Sequence, residues 1–162
     1  MSTSSSQILI NLFKNNHDII HRQLIGITQD ESLIQPPFRG NCMNWVIGHI
    51  LGVRGEILEL MGLPGTLTEA ELKVYGYGSD PLTGCDNAQD LPAMLKRLDD
   101  SLKAIVNKLG SLSSDELDRQ IEIWRGKVPL IEALSLLQWH ESYHTGQLEL
   151  LRELTGKNDK II

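Results

Sequence analysis

Four stretches of the chain repeat apolar residues at the three- and four-residue steps of an amphipathic helix. These stretches run from about Ser6 to Ile25, Asn44 to Met61, Leu91 to Leu109 and Pro129 to Leu154. Ser6 and Asp90 are candidate N-caps, and Gly26 and Gly110 are candidate helix stops. Amphipathic helices of this length are typical of a four-helix bundle, so the sequence predicts an all-α fold.

The connection between the second and third predicted helices, residues 62–90, is long for a helical bundle. It can cross over along the bundle, and Thr66-Leu-Thr-Glu69 has the pattern of a capping box for a short extra helix. Ser113-Ser-Asp-Glu116 gives a similar signal before the last helix. Ile121-Glu-Ile123 predicts a brief extended segment, so short elements are expected in both long connections.

Composition places the chain among ordinary globular proteins, with 41% hydrophobic and 22% charged residues in a length of 162. We expect one domain over residues 1–162, with residues 1–5 flexible. A net charge of −6 and a pI near 5.3 argue against nucleic acid as a partner. The sequence shows neither a secretion signal nor an apolar run of the roughly 20 residues that span a bilayer. Two cysteines, Cys42 and Cys85, suit a reducing compartment, so we expect a cytoplasmic protein that does not bind membranes.

Histidines interrupt the apolar faces of two predicted helices. His140 and His144 lie in the middle of the stripe of the fourth helix, with Gln147 in the same stripe, and His49 lies near the centre of the stripe of the second. One inward histidine is usually explained by a hydrogen bond, because an unpaired buried polar group costs about 1–3 kcal/mol. Two histidines four residues apart, with a third on another helix, also suit a zinc, nickel or iron ion. The residues alone leave both interpretations open.

A second histidine pair, His17 and His21, lies at the edge of the apolar face of the first predicted helix. We interpret both as surface or boundary residues. Asn16 and Gln23 are the polar residues nearest the apolar centre of this helix. We expect them to line the same cavity as the inward histidines or to hydrogen-bond to each other.

The segment from His140 to His144 also satisfies the H-E-x-x-H pattern of zinc metalloproteases, in which the glutamate is the general base. The longer metzincin pattern requires glycine and histidine where this chain has Gln147 and Leu150. Peptidase activity is therefore not expected. Glu141 remains a candidate base for a metal-bound water, or an ordinary solvated glutamate.

Two motifs resemble the DinB-like, or YfiT-like, superfamily of four-helix-bundle metalloproteins. They are Asn44-Trp-Val-Ile-Gly-His49, which opens the second helix, and His140-Glu-Ser-Tyr-His-Thr-Gly-Gln-Leu148 in the last helix. The resemblance implies a bundle with a long crossover connection between helices 2 and 3, often paired into homodimers. It also implies a divalent metal ion held by three histidines, which correspond here to His49, His140 and His144.

Characterised members of that superfamily include transferases and isomerases that use low-molecular-weight thiols. The resemblance thus implies a metal-dependent transferase that activates a thiol cosubstrate toward a small electrophile, with zinc or nickel expected first and iron or manganese as alternatives. A hydrolase with Glu141 as base and a non-catalytic metal or ligand binder are the other hypotheses. We expect four further residues in the pocket wall or around the metal ligands: Gln147, Tyr143, Trp45 and Asn16.

Overall fold

The computed structural model describes residues 4–82, 84 and 86–161. Four long helices in this part of the chain are α1 (Ser5–Leu24), α3 (Met43–Leu60), α5 (Leu91–Ser111) and α7 (Leu130–Leu154). The short elements are α2 (Gln29–Ser32), α4 (Glu69–Tyr75), α6 (Ser114–Leu117), β1 (Gln120–Ile123) and β2 (Gly126–Pro129). Helices α1 and α3 each pack against both α5 and α7, so the predicted all-α four-helix bundle is confirmed.

Capping side chains explain where two of the long helices, α1 and α5, begin. Helix α1 begins at Ser5, because the side-chain oxygen of Ser4 accepts a hydrogen bond from the backbone N–H of Gln7. The prediction of Ser6 as N-cap is therefore wrong by two residues. Asp90 caps α5 as predicted, but Gly110 lies inside that helix rather than ending it. The flexible terminus expected for residues 1–5 falls partly outside the described residues, and Cys85 lies outside them as well.

The crossover connection between α3 and α5 contains α4, which packs against α3. Thr68 and Glu71 form its capping box, two residues later than the predicted Thr66–Glu69. The hydroxyl of Thr66 instead donates to the backbone carbonyl of Leu51 on α3. The extra helix of the connection is therefore present, and it is held against the bundle at its start.

The connection before α7 contains α6 and a β-hairpin. Ser113 and Glu116 form the capping box of α6, as predicted. Strands β1 and β2 pair antiparallel, with Ile121 opposite Val128, so the predicted extended segment is one strand of a hairpin. Pro129 is the N-cap of α7 rather than its first residue.

Buried apolar residues form two clusters along the bundle, and each cluster draws on all four long helices. The first includes Ile20, Ile47, Met94 and Leu148, and the second includes Phe13, Ile57, Ile105 and Leu134. A polar layer lies between the clusters in every long helix. It contains Asn16, His17, Arg54, Ser101 and Glu141, of which all but the half-buried His17 are buried. Among the described helices, none combines the length and apolarity needed to cross a membrane.

Candidate metal centre

Helices α3 and α7 bring the three predicted metal ligands together. The ring centroid of His49 lies 5.2 Å from that of His140 and 4.6 Å from that of His144. The rings of His140 and His144 are 4.5 Å apart, because residues four apart share one helix face. One nitrogen from each ring lies within 4.8 Å of the others. His49 and His144 are buried and His140 is half-buried, so the group lies at the edge of the bundle rather than in its centre.

Hydrogen bonds fix the protonation of two of these rings. Nδ1 of His49 donates to the backbone carbonyl oxygen of Tyr75 at 2.8 Å. Nδ1 of His144 donates to the side-chain carbonyl oxygen of Gln147, also at 2.8 Å. Because both acceptors are oxygens without a proton, the neutral rings carry their hydrogen on Nδ1 and keep a lone pair on Nε2. Such outer hydrogen bonds are typical of metal-binding histidines, whose other nitrogen then ligates the ion.

The third ring completes a donor set that fits a divalent cation. Nε2 of His140 lies 3.2 Å from Nε2 of His144, and Nδ1 of His140 is buried without a hydrogen-bond partner among the described residues. Two nitrogens about 2.0–2.1 Å from one tetrahedral zinc ion lie about 3–3.5 Å apart. The observed separation falls in that range. Three neutral imidazoles suit zinc, nickel or iron and leave coordination positions open.

Burial keeps the three imidazoles neutral. It is the largest cause of a lowered pKa at each of them, and the pKa of His144 falls to about 4. The neighbouring histidines lower the pKa of His140 and of His144 further, since two positive rings would repel each other. The group is therefore ready to ligate a metal at neutral pH without first losing protons.

Aromatic side chains lie beside two of the histidines, Trp45 beside His49 and Tyr143 beside His144. The ring of Trp45 stacks on that of His49, with centroids 4.8 Å apart and planes inclined by 12°. Nε1 of Trp45 donates to the carbonyl oxygen of Val74 and to the hydroxyl of Ser79. The edge of His144 contacts the exposed Tyr143. The structure thus places Trp45, Tyr143 and Gln147 beside the three histidines.

Asn16 and Gln23 have other surroundings. The amide of Asn16 donates to the hydroxyl of Ser142 at 3.0 Å, which joins α1 to α7 within the polar layer. Gln23 is buried, and its side-chain amide has no hydrogen-bond partner in the described part of the chain. The expectation that these two residues bond to each other is wrong, and the contacts of Asn16 do not place it among the residues around the metal group.

Glu141 is fully buried and forms an ion pair with the equally buried Arg54. Nε and Nη2 of Arg54 donate to the two carboxylate oxygens at 2.8 and 2.9 Å, and Nη1 donates to the carbonyl oxygen of Leu98. Both oxygens of the candidate base are therefore engaged, and neither meets solvent. The general-base prediction loses its support, and the solvated alternative is wrong. Arg54 was detectable in the sequence, since a charged residue within the apolar run of a helix requires a buried counter-charge.

A cavity of about 750 Å³ adjoins the three-histidine group, and both His49 and His140 contribute to its wall. It lies between α3, the crossover connection, the hairpin turn and α7. Most of its lining is apolar, with aromatic walls from Tyr77, Trp124 and Trp139. Its volume is within the range of about 300–1,000 Å³ that is usual for small-molecule sites. The walls of this cavity come from four separate segments, so no sequence pattern indicates which residues line it.

Three charged side chains line the cavity: Glu56, Glu59 and Arg125. Glu56 lies two turns along α3 from His49, on the same face of the helix. Burial, and then repulsion from Glu59, raises the pKa of its carboxyl group. These three side chains therefore offer a small molecule in the cavity polar contacts away from the three-histidine group.

His17 and His21 are half-buried, which agrees with their interpretation as boundary residues. The structure adds a partner that the sequence did not indicate. Nε2 of His17 and Nε2 of His21 lie 3.2 and 2.8 Å from the same carboxylate oxygen of Asp99 on α5. Burial, with Arg54 nearby, lowers the pKa of His17 to about 4. The contact of His17 with Asp99 is therefore not an ion pair at pH 7, whereas Nε2 of His21 forms a hydrogen bond with the same carboxylate.

Comparisons with known proteins bear on the family and the fold of the chain. The family model described as "DinB family" matches residues 1–161. The fold is similar to that of a solved structure titled "conserved protein of locus from Enterococcus faecalis", with a TM-score of 0.67 and 18% sequence identity over 96% of this chain and 100% of that one. A search of curated proteins found no match. Because the family model covers nearly the whole sequence, and the histidine group fits metal binding, the chain belongs to the DinB family.

Proposed function

We propose that His49, His140 and His144 bind a divalent transition-metal ion, zinc or nickel first and iron or manganese as alternatives, and that the protein is a metal-dependent transferase. It would join a low-molecular-weight thiol to a small electrophile. The observation that carries the proposal is the position of the group, since His49 and His140 lie in the wall of a cavity large enough for a small molecule. A divalent cation lowers the pKa of a thiol that coordinates it, and so supplies a nucleophile at neutral pH.

The chain's own residues prepare the site for that chemistry. Tyr75 and Gln147 orient the rings of His49 and His144 through their Nδ1 atoms. Trp45 covers one face of His49 and keeps solvent from it. An ion held by three imidazoles keeps coordination positions free for a second molecule.

The character of the cavity supports a substrate with an apolar body. Trp124 and Trp139 provide broad aromatic walls, and Leu67, Leu72 and Leu136 add aliphatic surface. Glu56 and Arg125 offer a small number of polar contacts away from the histidines. A few polar groups in an apolar cavity are typical of sites that orient one small molecule.

The thiol of Cys42 is a poor nucleophile for this reaction. Cys42 is the N-cap of α3 and is fully buried, and burial raises the pKa of its thiol. A buried thiol with a raised pKa is mostly protonated at neutral pH, whereas the thiolate is the reactive form. This supports a thiol that comes from solution as a cosubstrate.

Metal analysis of protein purified without a histidine tag tests the binding step. Wild type is expected to take up zinc or nickel at this site. His144→Ala should bind the ion more than about tenfold more weakly, because losing only a hydrogen-bond partner of a metal ligand already lowers metal affinity about 10–100-fold. His21→Ala is the matched control and should retain the ion at the three-histidine group. Unchanged affinity in His144→Ala would refute the ligand assignment.

Activity is then tested with the metal-loaded protein, reduced glutathione or free cysteine, and chlorodinitrobenzene or an epoxide as electrophile. Thiol should be consumed faster with wild type than with His144→Ala, and a chelator should abolish the difference. Background rates with all of these thiols would contradict the transferase proposal. Hydrolysis that proceeds without any thiol would instead favour a metal-dependent hydrolase. The homodimer implied by the resemblance stays a prediction, which sedimentation velocity tests.

A further inference from the structure

A second group of potential metal ligands lies on the opposite pair of helices. His17 and His21 project from consecutive turns of α1, with ring centroids 4.4 Å apart. Asp99 on α5 faces both rings, and one of its carboxylate oxygens lies 3.2 Å from Nε2 of His17 and 2.8 Å from Nε2 of His21. One donor atom from each of the three residues lies within 4.8 Å of the others.

These distances match the spacing of ligands around one ion. Donor atoms about 2.0–2.2 Å from a tetrahedral zinc ion are about 3–3.5 Å apart, so a small opening between Asp99 and His21 would admit it. Two imidazoles and one carboxylate, with open positions left for water, form a donor set that several first-row divalent ions accept.

Accessibility and charge also suit an ion arriving from solvent. The side chain of His17 is 17% exposed, that of His21 36% and that of Asp99 43%. Among the charges near His17, Asp99 favours a cation and Arg54 opposes one, and the two hydrogen bonds from Arg54 to Glu141 offset that repulsion only in part. Nδ1 of His17 is buried without a partner among the described residues, so a protein group does not already fix the orientation of this ring.

We propose that His17, His21 and Asp99 bind a second divalent transition-metal ion, which links α1 to α5. This site is distinct from the three-histidine group, whose ligands lie on α3 and α7. The proposal does not depend on the transferase hypothesis, because the bound ion would act as a link between helices rather than as part of the cavity.

Equilibrium dialysis of the full chain, without a histidine tag, against zinc or cobalt tests the proposal. Wild type is expected to bind two ions, and His21→Ala and Asp99→Asn one each. His144→Ala is also expected to bind one ion, and His144→Ala combined with Asp99→Asn none. Asp100→Asn is the matched control, because Asp100 pairs with Lys96 and Lys103 and should not affect either ion. Circular dichroism verifies that each variant is folded.

A second measurement follows the link between the helices. In the His144→Ala background, added zinc should raise the melting temperature, because an ion that binds only the folded state stabilises it. Addition of Asp99→Asn should remove this shift. The proposal is overturned if wild type binds a single ion that His144→Ala removes, or if the second ion persists in both His21→Ala and Asp99→Asn. If instead wild type binds one ion that Asp99→Asn removes, the three-histidine proposal fails and this one stands.

Discussion

The backbone carbonyl oxygen of Tyr75 accepts a 2.8 Å hydrogen bond from Nδ1 of His49. Tyr75 is the last residue of α4, so the crossover connection orients a histidine of α3 that we propose as a metal ligand. The Tyr75 hydroxyl is itself fixed, since it donates to the side chain of Asn44 and accepts from the backbone N–H of Gln89. The Asn44–His49 motif that opens α3 therefore contributes two residues to this arrangement: His49, and Asn44, which holds the Tyr75 side chain.

Gly48 makes this contact possible, and Gly48→Ala should disrupt it. A Cβ atom at position 48 would lie only 2.1 Å from the ring of Tyr75, so the ring and the end of α4 must shift. Overpacking of this kind costs about 1–3 kcal/mol. We expect a loss of that size in the free energy of unfolding, measured in urea, together with weaker metal binding.

Gly146→Ala is the control for the Gly48 variant. Gly146 also lies within a long helix, but a Cβ atom there would meet nothing within 4 Å. Because alanine is favoured over glycine by about 1 kcal/mol in helices, this variant should be as stable as wild type or more so. Equal stability of the two alanine variants would show that the contact between Gly48 and Tyr75 does not constrain the fold.

Periodicity predicted the helices and the histidine group, because both depend on which residues share a helix face. The contact from Tyr75 could not be predicted, since a backbone carbonyl is the same in every residue. Glu141 was misjudged for a different reason. The predicted stripe of α7 was centred on His140 and His144, whereas the most buried line of that helix runs through Leu134, Glu141 and Leu148. Apolar residues alone defined the stripe, so a buried charge at its true centre was missed.

Glu141→Gln tests whether this residue supports the fold or the chemistry. The substitution leaves Arg54 buried without its counter-charge, and breaking a buried pair in this way costs about 3–5 kcal/mol. Urea unfolding should show a loss of that order. Folded Glu141→Gln should still bind metal at the three-histidine group.

A double variant separates the two roles of Glu141 further. Arg54→Met with Glu141→Leu replaces the ion pair by apolar side chains, which is often neutral or stabilising. This variant should therefore regain most of the lost stability. The comparison applies to any substrate that wild type hydrolyses without a thiol. If the stable, metal-loaded double variant hydrolyses that substrate at the wild-type rate, the general-base hypothesis is excluded. A selective loss of turnover in Glu141→Gln would revive it.

Glu56→Gln should change stability in a pH-dependent way. A raised pKa means that the folded protein binds the proton of Glu56 more tightly than the unfolded chain does. Its contribution is therefore most favourable below the unfolded pKa of about 4.3 and declines as pH rises. Glutamine cannot ionise, so the variant should become the more stable protein at pH 7, by less than about 1 kcal/mol because the carboxyl group is partly solvated. Glu149→Gln, on the exposed face of α7 and outside the cavity, is the control for the substitution itself.

Metal-free protein should lose stability as the pH falls from about 7 to about 4. The pKa of His144 is about 4 in the folded protein, against about 6.5 for an unperturbed histidine, so between these values the unfolded chain binds the extra proton. The free energy of unfolding then rises with pH, by up to about 1.4 kcal/mol per unit for this one group. Urea unfolding in the presence of a chelator, at intervals from pH 4.5 to 7.5, measures the slope. His144→Gln removes one titrating group and should make the slope shallower without abolishing it, since the pKa values of His17, His49 and His140 are lowered as well. An equally steep slope in that variant would mean that the ring of His144 is as accessible to protons in the folded protein as in the unfolded chain.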